Sequence, residues 1–412
     1  MKSIKGSKII TYFIISFQSI LNIPWVNSLW IGFLSWSLSI FLYSPRLTLF
    51  LGYGSGTTRR DDLLAQCFNP LTTDLKEPIL AYRIIQPILA NLMNVCGERR
   101  EAISLLGSPG IAYFALIITL AGCHWAIRRE FSSRISILIT FLVSTTMVTQ
   151  WTNLYWGHPD SISLMAIALL LCISRPWAIS VLVAIGALND ERMILAFPFI
   201  VIWWWPPKST WKKAIVNMKP QIIAMFFGVL IYILFRQSLE LGLIGTGIEN
   251  SYPVKEISGL SRIFKPNEWL GLILMAFLGF RWLWFLPIYS AGLILNKNMK
   301  ISSYFYLFAL LLTSIATFTV ADVSRSFAFI FPAILVALKI LKEEGGWKET
   351  EICYLLTLIL TLNILTPAAT VFGVPPKWWQ TNPLNWVIPY FPLPINVWQW
   401  LRVPSGAASW SW

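Results

Sequence analysis

The sequence predicts an all-α membrane protein, a polytopic bundle of about eleven transmembrane helices. Of the 412 residues, 56% are hydrophobic and only 12% are charged, which is about half the charged fraction of an ordinary soluble domain. Apolar runs of membrane-spanning length recur along the chain. They are continuous rather than alternating, so they favour helices, which satisfy their own backbone hydrogen bonds in lipid, over a β-barrel. The 22 tryptophans suit the level of the lipid headgroups.

The predicted crossings, counted at about 20 residues each, form one transmembrane domain over residues 1–366. Three of them are short, which is typical of helices that are interrupted or that border a water-filled cavity. These three cover residues 160–174, 177–188 and 193–205. The remaining crossings are predicted at 9–43, 102–125, 135–150, 220–236, 269–296, 301–319, 326–341 and 351–366.

The basic residues predict the orientation. With a cytoplasmic N-terminus, the inner loops are short and dense in Lys and Arg, as in 126–134 and 206–219, in agreement with the positive-inside rule. We therefore expect a multi-pass protein of the plasma (inner) membrane with an external C-terminus. The net charge of +13 is spread over loops, with no domain to carry a basic patch, so no nucleic-acid binding is expected.

Two long segments are predicted to be external. In the first, 44–101, residues 79–95 are apolar but contain Arg83 and Pro87. We expect a helix that lies in the interface or re-enters the membrane, with Arg83 facing a cavity. The second, 367–412, is rich in Pro and Trp, so we expect it to lie on the membrane surface, where its rings anchor the chain or stack on a sugar.

Ionisable residues gather at the predicted external ends of helices. Fourteen of the 19 acidic residues fall on that side, although acidic residues have little influence on topology, which indicates a chemical role there. The ionisable residues at these helix ends are Asp61 and Asp62, Asp74, His158 and Asp160, Asp190 with Glu191 and Arg192, and Asp322 with Arg325. Of these, we predict that His158 and Asp160 line one external cavity with Arg192 and Arg325.

One arginine is predicted to lie deeper. Arg281 precedes Pro287 in a long apolar segment and is expected about 8 Å or more below the membrane surface. An ionisable side chain at that depth is costly and usually faces a cavity or a partner. The alternative is that its long side chain extends back to the interface.

Several features occur together in this chain: a basic N-terminus, one crossing, a long external loop with paired acidic residues, the element "YRIIQP" (82–87), carboxylates at helix ends and a late external segment. As an architecture covering the whole chain, this resembles the C-type (GT-C) integral-membrane glycosyltransferases. The resemblance implies a polyprenyl-phosphate sugar as donor and a catalytic carboxylate at Asp61, Asp62 or Asp74. Members often carry a soluble domain after the last crossing, which 367–412 is too short to form, so we expect a lipid or glycan acceptor rather than a protein.

The chemistry of such a transfer assigns the candidate roles. One of the three carboxylates would take the proton of the acceptor hydroxyl, and arginines would hold the departing phosphate through paired hydrogen bonds. No cofactor is predicted, and a divalent metal stays open. The expected partners are the lipid-linked sugar donor, the acceptor and membrane lipids. The predicted substrate-binding residues are Arg83, His158, Asp160, Asp190, Glu191, Arg192, Arg281, Asp322 and Arg325.

Structural roles remain open for the same residues. Asp61 and Asp62 beside two arginines suit a solvated charge cluster, and Asp74 suits a turn. Asp160 is a good N-cap for the next helix. The Asp190–Arg192 and Asp322–Arg325 sequences could form ion pairs that close helix ends.

Other function classes also remain. A polysaccharide polymerase would share the external arginines and the long external loop, and a transporter or flippase would use buried carboxylates as proton relays. The five cysteines have no CxxC spacing, so the sequence predicts neither a metal site nor a redox pair.

Overall fold

Helices make up nearly all of the described chain, as the apolar runs predict. The structure, a computed structural model, describes residues 24–43, 65–72, 75, 82–96, 108–154, 160–206, 210–244, 264, 269–297, 299–320, 323–366, 369–370 and 377–378. Within these ranges the α-helices are α1 (Pro24–Tyr43), α2 (Ile85–Leu92), α3 (Ser108–Arg128), α4 (Ser133–Ser144), α5 (Met147–Leu154), α6 (Asp160–Leu170), α7 (Pro176–Asn189), α8 (Phe197–Trp204), α9 (Trp211–Glu240), α10 (Trp269–Phe280), α11 (Phe285–Asn296), α12 (Ile301–Phe318), α13 (Val323–Phe329), α14 (Pro332–Glu343) and α15 (Glu349–Leu365). Two 3₁₀ helices cover Glu191–Ala196 and Arg281–Trp284, and the strands β1 (Ala369–Thr370) and β2 (Lys377–Trp378) pair antiparallel.

Four helical stretches of the described chain are long and apolar enough to cross a membrane, namely Gly110–Arg128, Lys212–Glu240, Gly271–Asn296 and Ile301–Phe318. Two bent pairs, α4 with α5 and α13 with α14, raise the number to six if each pair is one crossing. The structure thus shows an all-helical protein with four to six candidate spans. Each predicted crossing overlaps at least one of the described helices, while the count of eleven stays a prediction.

Three helix breaks lie just before prolines, and each of these prolines follows an arginine in the sequence. The pairs are Arg192 and Pro198, Arg281 and Pro287, and Arg325 and Pro332. Pro198 lies in the first turn of α8, Pro287 in the first turn of α11, and Pro332 begins α14. Proline has no backbone N–H and its ring clashes with the preceding turn, so a helix can begin at proline but cannot easily continue through it. The residues before these prolines therefore form 3₁₀ helices or the short helix α13, and the predicted spans 193–205, 269–296 and 326–341 are interrupted.

The helix α3 lies at the centre of one half of the bundle, packed against α1, α4 and α6. Its backbone touches that of α1, because a Cβ built on Gly32 would lie 2.6 Å from the carbonyl oxygen of Ile117. Small residues allow this close approach of helices in membranes. In contrast, α9 and α12 are peripheral and present large apolar side chains outward, among them Phe226 and Phe308, as expected for surfaces that face lipid.

A disulfide between Cys67 and Cys96 closes the segment that carries α2. The sequence analysis, which predicted neither a metal site nor a redox pair, did not anticipate this disulfide. The separation of 29 residues between the two cysteines gives no motif. Both nevertheless fall in the predicted external segment 44–101, where an oxidising compartment permits disulfides. Cys123, Cys172 and Cys353 are free thiols.

Candidate functional site

Three arginines and two aspartates form one buried group, which we call the arginine cluster: Arg83, Asp160, Asp190, Arg192 and Arg325. The five residues come from five separate places in the fold: the entry to α2, the first turn of α6, the end of α7, a 3₁₀ helix and α13. Their side chains are between 0% and 11% exposed. Charges buried to this degree are stable only when they are paired.

Asp160 contacts all three arginines. Its Oδ1 lies 3.2 Å from Nη1 of Arg83, and its Oδ2 lies 3.2 Å from Nη2 of Arg192 and 3.2 Å from Nε of Arg325. The sequence analysis predicted that Asp160, Arg192 and Arg325 lie together, and the structure places them together. Their role in binding a substrate stays a prediction.

Asp190 pairs with two of these arginines, Arg83 and Arg192. Its Oδ2 lies 3.1 Å from Nη2 of Arg83, and it pairs with Arg192 through both oxygens, with 2.8 Å from Nε to Oδ1. It also accepts a hydrogen bond of 3.0 Å from the backbone N–H of Arg192 and so caps the 3₁₀ helix. The side chain therefore caps a helix and pairs with two arginines, as the structural alternative predicted, while its role in binding a substrate stays a prediction.

The surrounding helices fix the positions of these carboxylates. Asn189 donates to Oγ of Ser163 (3.1 Å), which donates to the carbonyl of Gly186 (2.7 Å), so the end of α7 is tied to α6. The backbone N–H of Ile84 donates to the carbonyl of Leu188 at 3.3 Å. This bond places Arg83 against the bundle, where its side chain is 4% exposed.

Aromatic rings pack against two of the guanidinium groups, those of Arg192 and Arg325. Arg192 lies 4.7 Å from the ring centroid of Phe329, and Arg325 lies 4.8 Å from that of Trp151. Nη1 of Arg192 also donates to Oγ of Ser326 at 3.4 Å. A guanidinium that stacks on a ring keeps its N–H groups at the edge for hydrogen bonds, which a lysine cannot do.

Among the described residues, the cluster joins three arginines to two carboxylates. Burial by itself raises the pKa of the Asp190 carboxyl, but the charges of Arg192 and Arg83 outweigh this and hold its pKa below the ordinary value. Asp190 therefore stays ionised and is a weak base. Three guanidinium groups held close together suit an anionic ligand.

A second polar group lies beside the cluster at the end of α9. Tyr82 donates to Oε1 of Glu240 at 3.2 Å, and the guanidinium of Arg236 lies 4.4 Å from the Tyr82 ring centroid. Arg236 also pairs with Glu240 at 3.0 Å. Glu191, predicted to bind substrate, lies close enough to Arg236 to interact with its charge, so the structure places it in this outer group.

Among the described residues, neutral groups at the end of another helix hold Arg281. Its Nη1 donates to the carbonyls of Asn363 and Thr366, both at 3.0 Å, and its Nη2 donates to Oε1 of Gln150 at 3.2 Å. Its backbone has a φ of 54°, a left-handed conformation that costs a non-glycine residue about 1–3 kcal/mol. The side chain is fully buried, so it does not extend back to the interface. These contacts support a structural role in joining α5 to α15.

Five of the predicted site residues lie outside the described residues: Asp61, Asp62, Asp74, His158 and Asp322. The predicted general base and the predicted contribution of His158 to the cavity therefore stay predictions. Within the part of the chain that the structure describes, no group of three or more His, Cys, Asp or Glu side chains could hold a metal ion.

Comparison of the chain with protein-family models, with curated proteins and with solved structures finds no match. The resemblance to C-type glycosyltransferases thus stays an expectation drawn from architecture. The geometry of the arginine cluster carries the functional proposal.

Proposed function

We propose that the protein is a membrane glycosyltransferase that moves a sugar from a polyprenyl-phosphate donor to a lipid or glycan acceptor. The observation that carries the proposal is the buried cluster that brings three arginines together, Arg83, Arg192 and Arg325. The proposed arrangement is C-type, with about eleven crossings, a cytoplasmic N-terminus and the cluster on the external side.

The cluster suits the phosphate of such a donor. Guanidinium groups bind phosphate oxygens through paired hydrogen bonds, and these bonds are stronger where water is excluded. The same donors would stabilise the phosphate as it leaves the sugar.

The general base of the proposed reaction comes from outside the cluster. Asp160 and Asp190 are already bound to arginines, and a carboxylate with a lowered pKa is a poor proton acceptor. We propose Asp61, Asp62 or Asp74 instead. The disulfide between Cys67 and Cys96 supports an oxidising, external environment for this region.

A proton-coupled transporter is less well supported. A proton relay needs a carboxyl group that titrates near the working pH. The lowered pKa of Asp190 keeps that group ionised, and Asp160 shares the same arginines.

The proposal is tested by the release of polyprenyl phosphate from a panel of polyprenyl-phosphate sugars in membranes that contain the protein. Arg325→Lys keeps the charge but loses the planar fork stacked on Trp151, so we expect the rate of release to fall by about tenfold or more. The matched control is Arg129→Lys, because Arg129 is an exposed arginine that also stacks on a ring, that of Trp125.

Two outcomes would contradict the proposal. The first is donor binding without release of polyprenyl phosphate from any member of the panel, which would indicate a flippase. The second is an equal rate for Arg325→Lys and Arg129→Lys, which would separate the cluster from the reaction.

A further inference from the structure

A pocket with both charged and apolar walls lies at the opposite end of the helices from the arginine cluster. Arg192 is near the start and Trp205 is just past the end of the segment formed by a 3₁₀ helix and α8, so the two residues are about 20 Å apart. At the Trp205 end, α8, α12 and α14 enclose a pocket of about 320 Å³. Its apolar walls include Ile202, Trp205 and Val336.

Lys339 lines this pocket with a largely unsatisfied ammonium group. Its side chain is 14% exposed, and Nζ lies 3.9 Å from Oε1 of Glu343 and 5.5 Å from the ring centroid of Trp203. Neither distance is that of a hydrogen bond. Among the residues that the structure describes, none accepts a hydrogen bond from this ammonium group, which has three donors. The ammonium group therefore has donors available in the pocket, and the site suits a ligand that supplies acceptor oxygens.

The other charged groups that the structure describes in the pocket, Lys300, Glu343 and Glu344, have partners within the protein. Nζ of Lys300 lies 3.2 Å from Oε2 of Glu343. Glu344 accepts hydrogen bonds from the backbone N–H of Lys300 at 2.9 Å and from Oγ of Ser303 at 2.6 Å. Two ammonium groups thus face two carboxylates, and a carboxylate already occupies the N-terminus of α12. This balance favours a zwitterionic ligand over a simple anion.

We propose that this pocket binds the headgroup of an aminophospholipid. The phosphate oxygens would accept hydrogen bonds from Lys339, the ligand's ammonium would pair with Glu343, and the apolar walls would contact the first carbons of the acyl chains. The candidate span Ile301–Phe318 begins at the pocket, and the bent pair of α13 and α14 ends there. If these helices cross the membrane, the pocket would lie at the height of the phospholipid headgroups. The proposal is independent of the arginine cluster and of the glycosyltransferase reaction.

Native mass spectrometry of the purified full chain in detergent, titrated with phosphatidylethanolamine, tests the site. Lys339→Met keeps the length of the side chain but removes the charge-assisted hydrogen bonds, so we expect the affinity to fall by about tenfold or more. The matched control is Lys297→Met, which removes an exposed lysine at the same end of the bundle and is expected to leave the affinity unchanged. Ser302→Trp fills the pocket at a partly exposed wall position without changing its charge, and should also abolish binding.

Three results would overturn the inference. Equal losses in Lys339→Met and Lys297→Met would indicate adsorption to a basic surface. Binding of phosphatidylglycerol as tight as that of phosphatidylethanolamine would exclude an aminophospholipid site, and displacement of the lipid by millimolar inorganic phosphate would indicate a site for free phosphate. If Lys339→Met fails to insert, unchanged binding by Ser302→Trp would refute the proposal by itself.

Discussion

The carboxylate of Asp160 contacts arginines from three segments that are far apart in the sequence, at 3.2 Å each. The sequence allowed a simpler role, in which Asp160 only caps α6. An N-cap aspartate can be replaced by serine at little cost, because serine caps comparably. A carboxylate that neutralises buried arginines cannot be replaced in this way, since its loss leaves buried cations unpaired.

We therefore expect Asp160→Ser to destabilise the protein by about 3–5 kcal/mol, the range for breaking a buried ion pair. Thermal unfolding in detergent measures the effect. The control is Glu240→Gln, since Glu240 pairs with Arg236 at an exposed position, where such a pair contributes no more than about 1 kcal/mol. A melting temperature of Asp160→Ser equal to that of the wild type would show that Asp160 is only a cap.

The sequence predicted the charged members of the cluster better than their neutral neighbours. Charged residues are rare in this chain, so a position such as Asp160 or Arg325 at the end of an apolar run is conspicuous. Trp151 and Phe329, which stack on the guanidinium groups, were missed, because in a chain with 22 tryptophans and 26 phenylalanines nothing marks one ring as the platform for a cation. The contact between Arg83 and Asp190 was also missed, since it depends on how α2 packs.

At the scale of elements, hydropathy located the helices but not their interruptions. Each predicted crossing overlaps a helix, because a continuous apolar run has few other stable structures in lipid. The breaks depend on single residues, as where Arg281 adopts a left-handed backbone conformation between α10 and α11. The helix α9 (Trp211–Glu240) extends beyond the predicted span 220–236 into a basic stretch, because lysine is a good helix former.

The disulfide gives α2 a specific role, because it closes the segment that presents Arg83 to the cluster. In the chain-entropy model a cross-link over a loop of this length contributes about 3 kcal/mol or more. Replacing both Cys67 and Cys96 by serine should therefore loosen α2 while the rest of the bundle stays folded. We expect backbone amides in Ile85–Leu92 to exchange with solvent at least about tenfold faster, as measured by hydrogen–deuterium exchange.

The control for this experiment is Cys353→Ser, which removes a free thiol that forms no cross-link. Amides of α3 serve as an internal reference, because that helix is central to the bundle. Unchanged exchange of Ile85–Leu92 in the double serine variant would mean that packing against α3 and α7, and not the disulfide, holds α2 in place.

At the scale of the whole molecule, the two proposed sites lie at opposite ends of shared helices. The cluster contains Asp160 at the start of α6 and Arg192 just before α8, whereas the pocket lies where α8 and α14 end. The positive-inside rule predicts that the pocket is cytoplasmic and the cluster external. The orientation is therefore decisive for both proposals.

Labelling of single cysteines in intact cells tests this orientation, in a background that lacks the free thiols Cys123, Cys172 and Cys353. We expect a membrane-impermeant maleimide to label Asp62→Cys and to leave Thr210→Cys unlabelled until the cells are permeabilised. Thr210 is exposed in the described chain and lines the pocket, so it is a suitable reporter. Labelling of position 210 in intact cells would reverse the molecule and place the cluster inside.

The polar composition of α5 has a consequence for how the chain enters the membrane. This helix contains Thr149, Gln150, Thr152 and Asn153, all buried, and Asn153 donates to Oγ of Ser39 in α1 at 3.0 Å. Side chains of this kind partition poorly into lipid. Because α4 and α5 qualify as a candidate crossing only as a pair, we expect α5 to enter the bilayer with α4. We also expect α1 to stay close by during insertion, so that the polar partners enter the lipid already joined.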